Sequence, residues 1–527
     1  MSPDRQSDSP GDRRDWPAVA AEAGVLFVER ASDGMLDPAL VAHLPVEWAR
    51  SNVVLPVRIN GEPSLLTANP LDLDVHHEAS VIAGVDLRPA VCPPDEILKA
   101  IERCYYLKDH SPSDFLHDLR TGPAERNAGH REIDDLLQAA DKAPVTQLVN
   151  LILLEAVKKG ASDIHFEPFD SGMRVRYRID GVLYEAASPP KSMEEALASR
   201  LKVMARMDIA EKRLPQDGMA RVSVGDREID IRVSTVPVAE GERVVLRLLD
   251  RNSALLPLDR LGMDEVTRSS FERLLTFSSG LIVVAGPTGS GKTTTLYAAL
   301  SRLDSARKNI MTIEDPIEYQ LPDIGQIQVK PKIGLTFAVG LRHILRQDPD
   351  IILVGETRDI ETAEIAIRAS LTGHLVFTTL HTNDAFSAVT RLLDMGVEGF
   401  LLAACLRGVL AQRLVRKLCA RCRIASAPGD PRREDWGIVS EKVRDKRIWL
   451  PSKGCPDCLE GYRGRTGIYE LFTAGQDMQQ HLARGHAGLE DIRTMARRSG
   501  TKSLLDDGIA KIVQGITSPA EVAGALA

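Results

Sequence analysis

The chain has 527 residues, 43% of them hydrophobic and 27% charged, and carries a net charge of −8. That length exceeds one compact core and predicts about three to four domains, while the acidic balance argues against coating nucleic acid, so no nucleic-acid partner is expected. No apolar run reaches the roughly 18 to 20 residues that span a bilayer, and the first 17 residues, rich in Asp, Arg, Ser and Pro, do not read as a secretory signal; a cytoplasmic chain without a membrane span is expected.

Residues 1–22 read by composition as a disordered tail. Residues 23–106 form a small mixed pattern, with Val53, Val54, Leu55 and Val57, then Leu65 and Leu66, then an amphipathic stretch at 97–106. Nothing in it resembles a catalytic site, so it is expected to be an N-terminal adaptor domain. Residues 107–143 are polar and hold Pro112, Gly122, Pro123 and Gly129, which predicts a linker with at most a short helix at 133–139.

A second domain is expected over 144–252. Val145, Leu148, Val149, Ile152 and Ala156 recur at helical spacing, with Pro144 at the start and Gly160 past the end. Met173, Val175, Tyr177 and Ile179 then alternate with Arg174, Arg176 and Arg178, and Asp180-Gly181 supplies a hairpin turn. Further strands are predicted at 228–233 and 244–249, making this domain α+β.

The third domain is expected over 258–527. The apolar run 281–285 predicts a buried strand, followed by a helix over 294–303; two more buried strands are predicted at 351–354 and 375–379. Strands alternating with helices imply an α/β fold with a parallel sheet.

Between the first of these strands and its helix lie Gly286, Pro287, Thr288, Gly289, Ser290, Gly291, Lys292 and Thr293, the phosphate-binding pattern G-x-x-x-x-G-K-[ST]. Its glycines let backbone N–H groups wrap phosphates, and the helix adds its positive end. Lys292 is expected at the β/γ-phosphates of ATP, and the Thr293 hydroxyl on Mg²⁺. Glu356 follows the strand 351–354, where a carboxylate can serve the metal or orient water. Glu314, Asp315 and Glu318 follow another apolar run, either as a water-polarising cluster or as a solvated acidic turn. His374 and His381 flank the strand 375–379, as structural residues or as sensors of the γ-phosphate. Arg342 and Arg346, four apart, share a helix face, exposed to solvent or available to a phosphate or a neighbouring subunit. The row Arg174, Arg176 and Arg178 is either a solvated sheet face or a site favoured by an anionic partner.

Seven cysteines are present, and Cys419, Cys422, Cys455 and Cys458 form two Cys-x-x-Cys pairs separated by the 32 residues 423–454. Four thiolates can close a tetrahedral Zn²⁺ site. Cys92, Cys104 and Cys405 lie in apolar contexts and read as core residues.

These segments together resemble the bacterial secretion ATPase superfamily and, within it, the type II secretion ATPases of the general secretion pathway E type. The carriers are residues 160–168, 176–182, 232–235 and 241–249, then the phosphate loop, 312–318 as the aspartate box, 346–358 as the Walker B segment and 371–383 as the histidine box. The resemblance implies a P-loop (RecA-like) ATPase domain with a parallel-rich sheet, preceded by an α+β (PAS-like) second domain and the small mixed N-terminal adaptor. It implies homo-hexameric rings docked on inner-membrane platform proteins, in which ATP hydrolysis drives pseudopilus assembly. Glu314, Glu318 and Glu356 become candidate catalytic carboxylates. Arg176, Arg178, Arg342 and Arg346 become candidate contacts to nucleotide or across a subunit boundary. The cysteines match a zinc-bearing insertion at 413–465, which pilus-retraction members usually lack. The segments 246–253 and 261–263 resemble the type II pattern more than the pilus-extension one. Met219 departs from the family, standing where Arg is expected, with Arg221 nearby as a substitute.

Overall fold

A computed structural model describes residues 15–41, 44–106, 111–113, 115–116, 144–224, 227–250, 256–484, 489–498 and 500–527. The tail expected before residue 15 and the linker helix expected at 133–139 lie outside the described residues. The chain divides into two compact units, 1–252 and 253–527.

In the first unit β1 (Leu26–Phe27), β2 (Val54–Ile59), β3 (Glu62–Thr67) and β4 (Arg88–Val91) form a sheet of order β1-β4-β3-β2. The helix Pro94–Tyr106 turns Ile97, Ala100, Ile101 and Cys104 toward one core with Leu55, Val57, Leu66 and Ala90. That spacing is the amphipathic stripe read from the sequence. Cys92, Cys104 and Cys405 are all buried, as expected of core residues.

A second sheet in the same unit is antiparallel. It comprises β5 (Asp163–Phe169), β6 (Gly172–Ile179), β7 (Val182–Ala187), β8 (Gln216–Val224), β9 (Arg227–Val238) and β10 (Gly241–Asp250), in the order β7-β6-β5-β10-β9-β8. Asp180 and Gly181, with φ of 50° and 91°, make the turn between β6 and β7, a geometry whose twist suits a two-residue hairpin. Alternation gives each strand a buried side, with Ile164 and Phe166, Val175 and Tyr177, and Val244 and Leu246 inward. The Tyr177 hydroxyl donates to the Ile152 carbonyl at 3.0 Å, tying the sheet to the helix Pro144–Lys158.

The second unit contains β11 (Gly280–Ala285), β12 (Ile310–Glu314), β13 (Gly325–Gln328), β14 (Ile351–Val354), β15 (Leu375–Leu380), β16 (Leu406–Leu418), a small pair β17 (Ile424–Ser426) and β18 (Ile448–Leu450), and β19 (Tyr462–Thr473). Its main sheet has the order β13-β12-β14-β15-β11-β16-β19, parallel throughout except where β19 runs against β16. Leu281, Val283 and Ala285 pack into one core with Leu341, Ile367 and Val389; Ile282 and Val284 enter another with Phe271, Leu296 and Tyr297. Burial on both faces explains why β11 and β14 read as unbroken apolar runs.

The unit also buries an ion pair. Lys511 and Asp507, one turn apart in the helix Leu504–Val513, are 5% and 6% exposed. Asp507 also accepts the Tyr469 N–H at 2.8 Å, and the Lys511 ammonium sits 5.5 Å from the Tyr469 ring centroid. Removing the ammonium leaves a buried carboxylate without its counter-ion. Lys511→Met should therefore lower stability by about 3–5 kcal/mol, read as a lower urea midpoint at unchanged m-value. A loss under about 1 kcal/mol would contradict this.

Candidate nucleotide site

Parallel register sets where the site lies. Ala285 pairs with Leu380, Val354 with Thr378 and Ile313 with Val354, so β11, β15, β14 and β12 end along one edge of the sheet. In open α/β sheets that edge is where ligands bind. The loop 286–293 leaves β11 there. Gly286 has φ 152°, and a Cβ on it would lie 2.5 Å from Ser290 Oγ and 2.6 Å from the Gln412 carbonyl, so only glycine fits. Pro287, Thr288, Gly289 and Thr293 are exposed around the loop, Ser290 is buried, and Gly291 caps the helix Lys292–Leu300. Exposed loop backbone ending in a helix N-terminus is an anion cradle.

Lys292 Nζ donates to the carbonyls of Gly286 and Pro287 at 2.8 and 3.0 Å. Burial pushes its ammonium down to about 8, with Glu356 opposing the fall and Arg413 adding to it. Glu356, 9% exposed, is held on a turn fastened at several points. Gly355 N–H donates to Ile313 O at 2.8 Å, the Thr379 hydroxyl donates to Gly355 O at 2.6 Å, and Thr357 N–H donates to Thr379 O at 3.1 Å. The Glu356 carboxylate lies 2.5 Å from the Arg358 guanidinium and 3.5 Å from His381 Nε2. Burial, then the charge of Lys292, keeps the His381 imidazole below its ordinary range. The fold thus gathers Lys292, Glu356, His381 and Arg358.

The other candidates are held by other partners. Glu314 is buried, and its oxygens accept hydrogen bonds from the Tyr297 and Thr312 hydroxyls and from Gln326 Nε2 at 3.1 Å. The carboxylate thereby joins β12 to the helix Lys292–Leu300; burial and the Glu314 charge hold the Tyr297 phenol above its usual range. Glu318 is half-buried in the turn beyond. His374 precedes β15, at the end of the strand remote from the loop, and its Nδ1 lies 2.8 Å from the Ala369 carbonyl. Six strand residues, about 20 Å, separate it from the edge that carries His381.

Arg342 and Arg346 do not share a helix face, because the helix Phe337–Ile344 ends before Arg346. Both are exposed: Arg342 pairs with Glu361 at 2.6 Å, and Arg346 donates back to the Arg342 carbonyl at 3.0 Å. In the first unit, the row on β6 finds carboxylates within its own sheet. Arg176 forks onto Glu167 at 2.7 and 2.8 Å, and Arg243 reaches the same group at 2.6 Å. Asp163 lies between Arg178 at 3.8 Å and Arg247 at 3.0 Å, and Arg174 is 3.7 Å from Glu185. Against the pull of burial, Arg176 and Arg243 keep Glu167 below the usual carboxylate range. Met219 is 60% exposed, and Arg221 pairs with Asp230 at 2.9 Å.

The sulfur atoms of Cys419, Cys422, Cys455 and Cys458 all lie within 4.8 Å of one another. Three of the contacts measure 3.5, 3.6 and 3.8 Å, near the edge of about 3.8 Å for a tetrahedron of Zn–S bonds. Against burial, the N–H groups of Arg421 and Cys422 hold the Cys419 thiol down to about 7, whereas burial and the neighbouring sulfurs push Cys422 up to about 12 and raise Cys455.

Since phosphate favours the charged lysine, nucleotide affinity should be level below about pH 8 and fall up to tenfold per unit above it. Fluorescent-nucleotide titrations from about pH 7 to about pH 9.5 test this, with Lys292→Arg as a variant whose charge persists. A level profile for the wild type across that range would contradict the lysine's role.

The type II/IV secretion system protein family matches residues 138–524, and the MshEN domain matches residues 25–111. Type II secretion system protein E of Pseudomonas aeruginosa is 51% identical over 487 residues, covering 91% of this chain and 95% of that one. The type IV pilus assembly ATPase PilB of Myxococcus xanthus is 43% identical over 494 residues, covering 93% and 87%. Among solved structures, the ATPase DotB of Legionella pneumophila has a TM-score of 0.52 at 19% identity, over 71% of this chain and 94% of that one, a likeness of fold alone. Likeness of this depth, running over most of both sequences, means that the chain belongs to the type II/IV secretion system protein family and is an ATP-hydrolysing secretion ATPase.

Proposed function

We propose that this ATPase works as a homo-hexamer that couples Mg·ATP hydrolysis to pseudopilus assembly in a type II secretion system. It docks through its N-terminal domain on inner-membrane platform proteins and acts at the cytoplasmic face. The observation that carries the enzymatic part is the convergence of the phosphate loop and Lys292 with Glu356 and His381 on one edge of the sheet. Among the described residues no helix is long and apolar enough to cross a membrane.

Phosphoryl transfer to water needs positioning and charge neutralisation more than covalent chemistry. The backbone of 286–293 and Lys292 hold the phosphates, and Thr293 offers its hydroxyl to Mg²⁺. When bound, Mg²⁺ neutralises charge on the phosphates. Glu356 orients and deprotonates the attacking water, and His381 beside it senses the γ-phosphate. Glu314 positions the loop helix through Tyr297, and Glu318 serves as a second carboxylate. Arg176, Arg178, Arg342 and Arg346 complete sites across subunit boundaries as the ring closes. Cys419, Cys422, Cys455 and Cys458 hold a structural Zn²⁺, which stabilises the fold around it.

The relative of Myxococcus xanthus keeps a pilus-assembly reading in view. Type II secretion is preferred on the stronger identity to the Pseudomonas aeruginosa protein and on residues 246–253. Capture of inner-membrane partners decides between them: secretion-platform proteins support the first reading, pilus-platform proteins overturn it.

Glu356→Gln should lower steady-state turnover by about 10²- to 10⁴-fold while leaving the Mg·ATP dissociation constant within about threefold. Turnover within tenfold of wild type would remove Glu356 from the chemistry. The purified protein should carry about one Zn²⁺ per chain, and Cys455→Ser should lose it and melt at lower temperature. Protein isolated fully folded without zinc would contradict the metal site.

A further inference from the structure

β16 runs beside the phosphate loop as well as beside β11. Ala285, the last residue of β11, pairs with Ala411, so the next residues of β16, Gln412 and Arg413, continue alongside the loop. Gln412 is buried, and its Nε2 donates to the Ser290 carbonyl at 2.7 Å. Arg413, partly buried, is held only by neutral oxygens. Its Nε donates to Ala525 O at 3.1 Å, and its Nη2 to Asn383 O and Oδ1 at 3.3 and 3.0 Å.

The remaining nitrogen, Nη1, is buried and makes no hydrogen bond. Among the described residues no carboxylate forms an ion pair with Arg413. Asp384, whose charge reaches the guanidinium from farther off, is paired with Arg493 at 2.6 Å. A buried cationic donor without a counter-ion is costly unless something anionic arrives. Burial keeps the guanidinium below its ordinary range, and its charge helps to depress Lys292. One polyanion on the loop relieves both cations at once.

We propose that Arg413 is a phosphate-binding residue of the nucleotide site, its free Nη1 meeting the anionic chain that Lys292 also holds. This rests on the reading of 286–293 as the nucleotide loop. Arg413 acts within its own chain, unlike arginines that arrive across a ring boundary. A purely structural role, tying the helix Pro519–Leu526 to Asn383, would leave nucleotide charge irrelevant.

The test compares full-length wild type and Arg413→Gln for Mg·ATP, Mg·ADP and adenosine, by competition against a fluorescent ATP analogue. Arg413→Gln should weaken ATP and ADP by about tenfold or more and leave adenosine unchanged. Equal losses for all three ligands, or no loss for any, overturn the proposal. Wild type that binds no ATP overturns the nucleotide reading and this proposal with it, so the two failures are distinguishable. Arg413→Lys, which keeps the charge, covers a glutamine variant that fails to fold: a loss graded with ligand charge supports the proposal, and a loss equal for adenosine and ATP refutes it.

Discussion

In-register parallel pairing of β12, β14, β15 and β11 is the constraint on which the rest of the second unit depends. It brings Glu314, Glu356, His381 and Gly286 to one edge although they are spread over almost a hundred residues of chain. Parallel strands need crossovers, and the crossovers cover both faces of the sheet, which is why the strands are predominantly apolar. The polar groups are thereby driven to the strand ends. Within that edge the residues divide by exposure: Glu314 is absorbed into hydrogen bonds with Tyr297, Thr312 and Gln326, whereas Glu356 remains beside Lys292, Arg358 and His381.

β16 extends this arrangement away from the nucleotide edge. Gln412 grips the loop at Ser290, and seven residues later the same strand delivers Cys419 to the sulfur cluster. There Leu418 N–H donates to Ile516 O and Cys419 N–H to Gly461 O, both at 2.8 Å. Arg416 forks onto Glu521 at 2.7 and 3.0 Å. The four-cysteine cluster, the final helices and the phosphate loop are therefore fastened to one strand. Hydrogen bonds to that strand connect the three.

Local chemistry was legible in the sequence, and pairing at a distance was not. The phosphate loop, the buried strands, the Asp180-Gly181 turn and the alternation of Arg174, Arg176 and Arg178 each depend on neighbours within a few residues. The carboxylates that answer Arg176 and Arg178 lie on β5, and the arginines that share them lie on β10, close to eighty residues away from β5; no short window along the chain joins β5 to β10. Spacing sets Arg346 on the helix that in fact ends at Ile344, since spacing alone does not mark where the last turn loosens. His374 and His381 flank one strand, and only the direction of β15 separates the residue near the loop from the one at the far end. Gln412 and Arg413 belong to no motif, because their importance arises from the pairing of Ala411 with Ala285.

The central claim is that ATP is held and hydrolysed on the edge where β11, β14 and β15 end. A structure of the full chain with Mg²⁺ and a non-hydrolysable ATP analogue tests it most directly. The expected structure has a triphosphate cradled by 286–293, with Lys292 Nζ moved from the Gly286 and Pro287 carbonyls onto the phosphates and Glu356 facing the γ-phosphate. A nucleotide bound elsewhere, with Lys292 still on those carbonyls, would contradict it.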